Sequence, residues 1–428
     1  MQKAKWVILF AVVLVLGLAL NSALQSGKEE FEQSILESAR NLVNEQNLFD
    51  KNILSHQIGM EIKRNEFPKT YQFVVEGDSI STKVQYSIED SSQEYMNKLM
   101  GQYRPDYGAF VAVDATSGKI LSMVSYSKLK PEIDNLALRA TFPAASIFKV
   151  VTASAAIDLN KAEPDTVVPF NGAYHTLYKK NVHETKTNRW TRYMTLKDAF
   201  ARSVNVFFGK LGLFYVGPEE LNAYAEKFLF NRPIESDIPV QTGIAKIVAD
   251  DPWSVVTAAS GFTRENTMSP LQGAMIAAAV ANDGVMMEPF LIDSLEDQKG
   301  DMLYKSEPRT LSVVMQPESA KELRELFRQT VRVGTSRKSF RKTIRRQLFD
   351  DIEFGGKTGS LTGNSPEGKC DWFVGYGRYR DQRIAVAALT VNEKKWKVKS
   401  STLANLYLTR HFRELKEQGK LAQLFDKQ

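Results

Sequence analysis

Apolar residues at Ile147, Phe148, Val150, Val151 and Ala155 recur on a helical period after Pro143, and the spacing predicts a helix that begins at Ser146. The same criterion predicts helices over residues 195–213, 218–230, 269–282 and 317–333, the third stopped by Asp283-Gly284. Upstream, AFVAVDATSGKILSMVSYS contains two apolar runs split by Ala115-Thr116-Ser117-Gly118, which predicts a hairpin. Three strand-like runs come late, at 352–360, 372–379 and 383–391, the last two joined by Arg380-Asp381-Gln382. A helix over 401–417 closes the pattern. Two strands early and three late, with helices between and at the ends, predict an α+β fold: a five-stranded antiparallel sheet flanked by helices on both faces.

The N-terminus follows a different pattern. Residues 6–24, WVILFAVVLVLGLALNSAL, are uncharged and mostly apolar. As a helix they would reach about 28 Å, close to the roughly 30 Å hydrocarbon core of a bilayer. Lys3 and Lys5 precede the run, which places residues 1–5 in the cytoplasm and everything after Leu24 outside. A cleaved signal peptide would be shorter and carry small residues at its processing site, where this chain has Asn21. The expected arrangement is a cytoplasmic tail (1–5), a transmembrane anchor (6–24), a membrane-proximal segment (25–82), a main domain (83–417) and a C-terminal tail (418–428). That makes the chain a single-pass membrane protein with its main domain extracytoplasmic. Within the membrane-proximal segment, Phe31, Ile35, Ala39 and Leu42 form one helical stripe, too short for a coiled coil and suited to packing on the main domain.

Composition narrows the function. With 428 residues and 43% apolar content the chain can bury a large core, and its net charge of +6 is a mild excess. Part of that excess lies in RVGTSRKSFRKTIRR, from Arg332 to Arg346, which has no acidic residue and reads as a solvated face. No aromatic platform or reader motif accompanies it, which argues against nucleic acid and leaves an anionic polymer or lipid surface as a permitted partner. Cys370 is the only cysteine, so neither an intramolecular disulfide nor a thiolate metal cluster can form. Beside Trp372 and Phe373 it reads as a small buried residue. His56, His175, His183 and His411 lack ligand-like spacing, and no metal or cofactor is expected.

Ser146 and Lys149 are three apart and share a helix face, and a lysine set among apolar residues can lose its charge and accept a proton. The spacing alone carries little, since Ser-x-x-Lys also begins at Ser125, Ser127 and Ser339. Ser146 stands apart through its helix start, its apolar neighbours and the upstream proline. Two further motifs each occur once: Ser203-Val204-Asn205 in ARSVNVFF, and Lys357-Thr358-Gly359 in FGGKTGSLTG. Alone, Ser203 would be a helix-interior serine bonded to its own backbone, and Lys357 an edge-strand charge that discourages aggregation. Their order after Ser146, on suitable elements, overrides those readings. The glycines at 355, 356 and 359 leave the strand edge open to a ligand.

With these motifs the chain resembles the penicillin-binding proteins, active-site-serine DD-transpeptidases marked by Ser-x-x-Lys, Ser-x-Asn and Lys-Thr-Gly. The resemblance runs from about Val84 to Phe412 and includes AVDATSGKILSMVS, MSPLQGAMIAAAVANDG and DWFVGYGRY. It implies a penicillin-binding/β-lactamase-like fold in which Ser146 attacks a D-alanyl-D-alanine carbonyl and Lys149 takes its proton. It further implies that Ser203 passes a proton to the departing D-alanine while Asn205 orients Lys149 and the substrate amide. Lys357 and Thr358 would hold the terminal carboxylate on the strand edge at Gly359, and the backbone N–H groups of Ser146 and Ser360 would meet the oxyanion. The acyl-enzyme would pass to an amine of a neighbouring peptidoglycan stem peptide, and β-lactams would acylate the same serine.

The alternatives are a DD-carboxypeptidase, a β-lactamase and a β-lactam-binding sensor. Against a class A β-lactamase, Leu221-Asn222 has Pro218 where the Glu-x-x-Leu-Asn motif needs glutamate. Against a class D enzyme stand Asn205 at the end of the second motif, the long central domain and the anchor. Against a sensor, residues 1–5 are too few for a cytoplasmic signalling module. Monofunctional class B relatives carry a larger N-terminal module than residues 25–82, and a glycosyltransferase domain has no room. Glycan polymerisation would then fall to a partner, for which a SEDS-type membrane polymerase is the expectation.

Overall fold

The early hairpin and the three late strands meet in one sheet. In the computed structural model, which describes residues 51–425 apart from 63–64, 76–77, 131–132 and 184–185, these strands are β1 (Tyr107–Asp114), β2 (Ile120–Ser127), β3 (Glu353–Asn364), β4 (Glu367–Tyr379) and β5 (Gln382–Asn392). Their order is β3-β4-β5-β1-β2, antiparallel throughout, as the alternation of runs predicts. The expected membrane span at 6–24 and the apolar stripe at 31–42 lie outside the described residues. Among the described residues no helix is long and apolar enough to cross a membrane. The chain divides into two units, Met1–Leu54 and Ser55–Gln428, and the second contains the whole sheet.

Burial on both faces explains why β4 and β5 read as continuous apolar runs rather than alternating ones. One face carries Phe110, Val124, Phe373 and Val386, packed against Leu403, Tyr407, Leu408 and Phe412 of the C-terminal helix. The other is covered by the helix Pro270–Ala281, all of whose residues are buried, as expected of a helix that is apolar all round. Ser269 caps it by accepting the N–H of Gln272 at 3.0 Å. Gly273 lets it approach the sheet: a Cβ there would stand 3.1 Å from Val374 Cγ1.

Three segments depart from the sequence pattern. The strand Asp78–Tyr86 crosses the expected boundary at 82/83 and pairs with both Thr70–Val75 and Ile292–Asp297, so both early strands share a second sheet with the body of the domain. The polar run Ser81-Thr82-Lys83 hides that strand. The C-terminal helix spans Ser400–Phe425, past the expected stop at 417. The continuous helix expected over 195–213 is broken: Leu196–Ala201 ends, Ser203 turns into the left-handed region at φ 57°, and a new helix starts at Asn205. Apolar periodicity persists on both sides of Ser203, so the pattern could not register the break.

Candidate active site

Ser146 lies on a 3₁₀ turn, Ala145–Phe148, that runs directly into the helix Lys149–Asp158. At three residues per turn such geometry stacks i over i+3. Lys149 Nζ accordingly lies within hydrogen-bonding distance of Ser146 Oγ, at 2.9 Å, and donates to it when protonated. The lysine is fully buried and also donates to Asn205 Oδ1 at 2.8 Å and to the Ser260 carbonyl. Asn205 is oriented in turn, because its Nδ2 donates to the His175 carbonyl at 2.9 Å. Burial, and then the nearby Lys357 charge, hold Lys149 well below the ordinary lysine range.

This arrangement points the amine lone pair. A neutral lysine has two N–H groups; the Ser260 carbonyl can only accept, and Asn205 presents its oxygen. Those two acceptors take the two N–H groups and leave the lone pair for the Ser146 hydroxyl proton.

Lys357, on β3, donates to Ser203 Oγ and to the Thr358 carbonyl, both at 2.9 Å. The left-handed turn at Ser203 is what brings that hydroxyl to the lysine. Lys357 is fully buried, over the Phe200 ring, and burial lowers its pKa to about 7. The Thr358 hydroxyl is hydrogen-bonded to the Thr335 hydroxyl. Gly359 meets the nucleophile's turn directly, since a Cβ there would stand 3.2 Å from Ile147 Cγ1. Ser146, Ser203, Asn205, Thr358, Gly359 and Ser360 all line one cleft of about 470 Å³. The three sequence motifs therefore converge.

The other Ser-x-x-Lys serines are engaged by other partners. Ser125 Oγ accepts the Leu136 N–H at 2.9 Å, Ser127 Oγ accepts the Lys130 N–H at 3.0 Å, and Ser339, which lines the same cleft, bonds Ser401 Oγ at 2.8 Å. Sequence reasoning missed the Ser260 and His175 carbonyls, which any residue type supplies, and Thr335, which belongs to no motif. It also missed Gly261. This glycine has φ 63°, and a Cβ there would fall 1.9 Å from the Ala145 carbonyl oxygen, beside the nucleophile. Gly261→Ala is expected to lower stability by at least about 2 kcal/mol through overpacking in a left-handed conformation, read as a fall in Tm.

A buried lysine with a depressed pKa makes stability depend on pH in a fixed direction. Above about pH 7, Lys357 is neutral when folded, while the unfolded chain keeps it protonated up to its ordinary value of 10.5. The unfolded state then binds more protons, so stability rises with pH, by up to about 1.4 kcal/mol per unit for each such lysine. Between about pH 7 and 9, urea titrations should show a shallower rise for Lys357→Met than for the unsubstituted protein.

Known proteins resemble this chain over the region that carries the site. The family model described as penicillin binding protein transpeptidase domain matches residues 108–407. The peptidoglycan D,D-transpeptidase PbpA of Mycolicibacterium smegmatis is 26% identical over 346 residues, covering 73% of this chain and 67% of that protein. Penicillin-binding protein PbpB of the same organism is 27% identical over 310 residues, covering 67% of this chain and 46% of the relative. Among solved structures, the D,D-transpeptidase domain of a peptidoglycan glycosyltransferase from Eggerthella lenta superposes with a TM-score of 0.63 at 24% identity, over 79% of this chain and 84% of that one. Penicillin-binding protein A of Mycobacterium tuberculosis, as its imipenem acyl-enzyme complex, gives 0.62 at 22% identity, over 77% and 79%.

Proposed function

This chain belongs to the family of penicillin-binding protein transpeptidase domains, and on that premise we propose that it cross-links peptidoglycan stem peptides through an acyl-Ser146 intermediate. The observation that carries the reading is the Lys149 environment: a buried amine whose two fixed acceptors leave its lone pair to Ser146. As Ser146 Oγ attacks the penultimate D-alanyl carbonyl, Lys149 takes the hydroxyl proton. The amide C–N bond breaks, and the leaving D-alanine nitrogen is protonated through Ser203, which lies on Lys357. Thr358 and Lys357 meet the terminal carboxylate, and that anion raises the Lys357 pKa and keeps its ammonium charged. An acceptor amine then attacks the ester, forming the new amide and returning the proton to Ser146.

Hydrolysis has no free carboxylate base among the described residues of the cleft. Among the described residues that line it the only carboxylate is Asp371, which is committed to Lys399 and to the Ser400 N–H, so no free carboxylate is available to activate water. A β-lactam adduct should therefore persist for many minutes. The test is product analysis with a peptide ending in D-Ala-D-Ala and a D-amino acid acceptor. Accumulation of the exchanged peptide supports the transpeptidase; free D-alanine without exchanged product identifies a carboxypeptidase, and rapid repeated turnover of penicillin a β-lactamase.

The same reading anchors the protein through residues 6–24 and puts the sheet-bearing catalytic unit, into which Thr70–Val75 and Asp78–Tyr86 are paired, outside the cytoplasm. Glycan polymerisation is assigned to a SEDS-type partner. A reporter active only outside the cytoplasm, fused after Gln428, should be active and remain with the membrane fraction. Full-length protein in the soluble extracytoplasmic fraction would overturn the anchor.

A further inference from the structure

The cleft that holds Ser146 continues past Thr358 and Ser360 to a part used by none of the chemistry above. There it is lined by Lys338, Lys369, Lys399 and Trp396. Three cations face one anion. Asp371 is that anion, and both its oxygens are taken: Oδ1 by Lys399 Nζ at 3.0 Å, Oδ2 by the Ser400 N–H at 2.8 Å. Lys338 and Lys369 meet no carboxylate among the described residues.

Trp396 gathers the charges. The Lys369 ammonium lies 4.4 Å from the ring centroid, and the Lys399 ammonium lies against the same ring. Two ammonium groups on one indole repel each other, and the ring is 39% exposed although it is large and apolar. Both features suit a ligand that shares its negative charge between the lysines and covers the indole.

We propose that this end of the cleft is a subsite for a second carboxylate of the peptide substrate, remote from the scissile bond, held by Lys338, Lys369 and Lys399 over the wall of Trp396. The inference rests on the transpeptidase reading above and adds a substrate class to it. The terminal carboxylate cannot be the occupant. It belongs to the residue next to the attacked carbonyl, about 3.8 Å away between α-carbons, and must stay beside Ser146 and Thr358. The peptide bound here is therefore one with an acidic residue before its D-alanyl-D-alanine pair, with the carboxyl group free rather than amidated.

The test uses the full chain and two peptides ending in D-Ala-D-Ala that differ only in the preceding residue, which carries a side-chain carboxylate in one and its primary amide in the other. D-Alanine release with a D-amino acid acceptor gives kcat/KM for each, and covalent labelling by benzylpenicillin is measured in parallel. The unsubstituted protein should prefer the carboxylate peptide by roughly ten- to a hundredfold, the scale of a charge-assisted contact. The double variant Lys338→Gln/Lys369→Gln leaves the Asp371 pair intact; it should lose most of that preference while keeping its benzylpenicillin labelling. Equal kcat/KM for the two peptides in the unsubstituted protein overturns the subsite, as does a preference that survives the double variant. Equal slowing of both peptides in the variant also overturns it, because the lysines would then serve the terminal carboxylate. Absence of benzylpenicillin labelling in the unsubstituted protein is a different failure: it removes the transpeptidase reading and the subsite with it.

Discussion

Ser146→Ala is expected to take up no penicillin at all. Intact-mass measurement of the unsubstituted protein should show one adduct per chain, mapping to Ser146, and the alanine variant should stay at its own mass. The neighbouring hydroxyls do not substitute for it: Ser203 lies on Lys357, which a bound carboxylate keeps charged, Thr358 pairs with Thr335, and Ser339 bonds Ser401 and Thr402. Loss of a nucleophile in a cooperating constellation costs about 10⁶-fold, beyond what labelling can detect. An adduct persisting in the variant, or one mapped to Ser125, would sink the assignment. The fold should survive, because Ser146 donates no hydrogen bond on which the sheet depends and its turn is held by buried neighbours.

Lys149→Met should slow acylation by about 10²–10⁴-fold, the range for loss of a general base, while leaving the chain folded. Methionine matches the lysine stem but leaves Asn205 Oδ1 and the Ser260 carbonyl without their donor, so a fall of a few degrees in melting temperature is expected. A single cooperative melt well above the assay temperature separates a catalytic loss from simple unfolding. The pH profile adds a second handle. In the unsubstituted protein acylation should rise with pH as Lys149 loses its proton, then fall once Lys357 also becomes neutral and releases the substrate carboxylate. The falling limb should lie above about 7, the value for Lys357 without ligand, because a bound anion favours the charged form. The Lys149→Met variant should lose the rising limb and keep the falling one; retention of both would remove Lys149 from the role of base.

Much of the fold was legible because its strongest elements are locally consistent. Strands β4 and β5, joined at Tyr379↔Gln382, are dense apolar runs, and Ser269, Asp283 and Gly284 bound a helix by ordinary capping and breaking chemistry. The candidate site was legible through residue types: Ser146, Lys149, Ser203, Asn205 and Lys357 all reach one cleft or its floor. What stayed hidden was supplied by backbone. The carbonyls of Ser260 and His175 leave no trace in residue identity, and the left-handed turn at Ser203 interrupts a helix without disturbing its apolar period. The strand Asp78–Tyr86 was hidden for another reason: its polar composition matters less than its partner Ile292–Asp297, which only long-range pairing reveals.

The sheet order also governs how the chain can be made. Tyr107 is synthesised early, yet its partner across the sheet is Val391, close to the end. Until that late segment emerges, Tyr107–Asp114 has an open edge toward the middle of the sheet, and β3, which carries Lys357, has no strand to join it and β4 to β1. Contacts of such separation close slowly, because the intervening loop must be ordered before they are gained. A chain truncated before β5 would therefore have neither a closed sheet nor a working cleft, and its apolar β1 edge would be open to pairing with another chain. Premature termination should yield aggregated or degraded protein rather than a weakly active fragment.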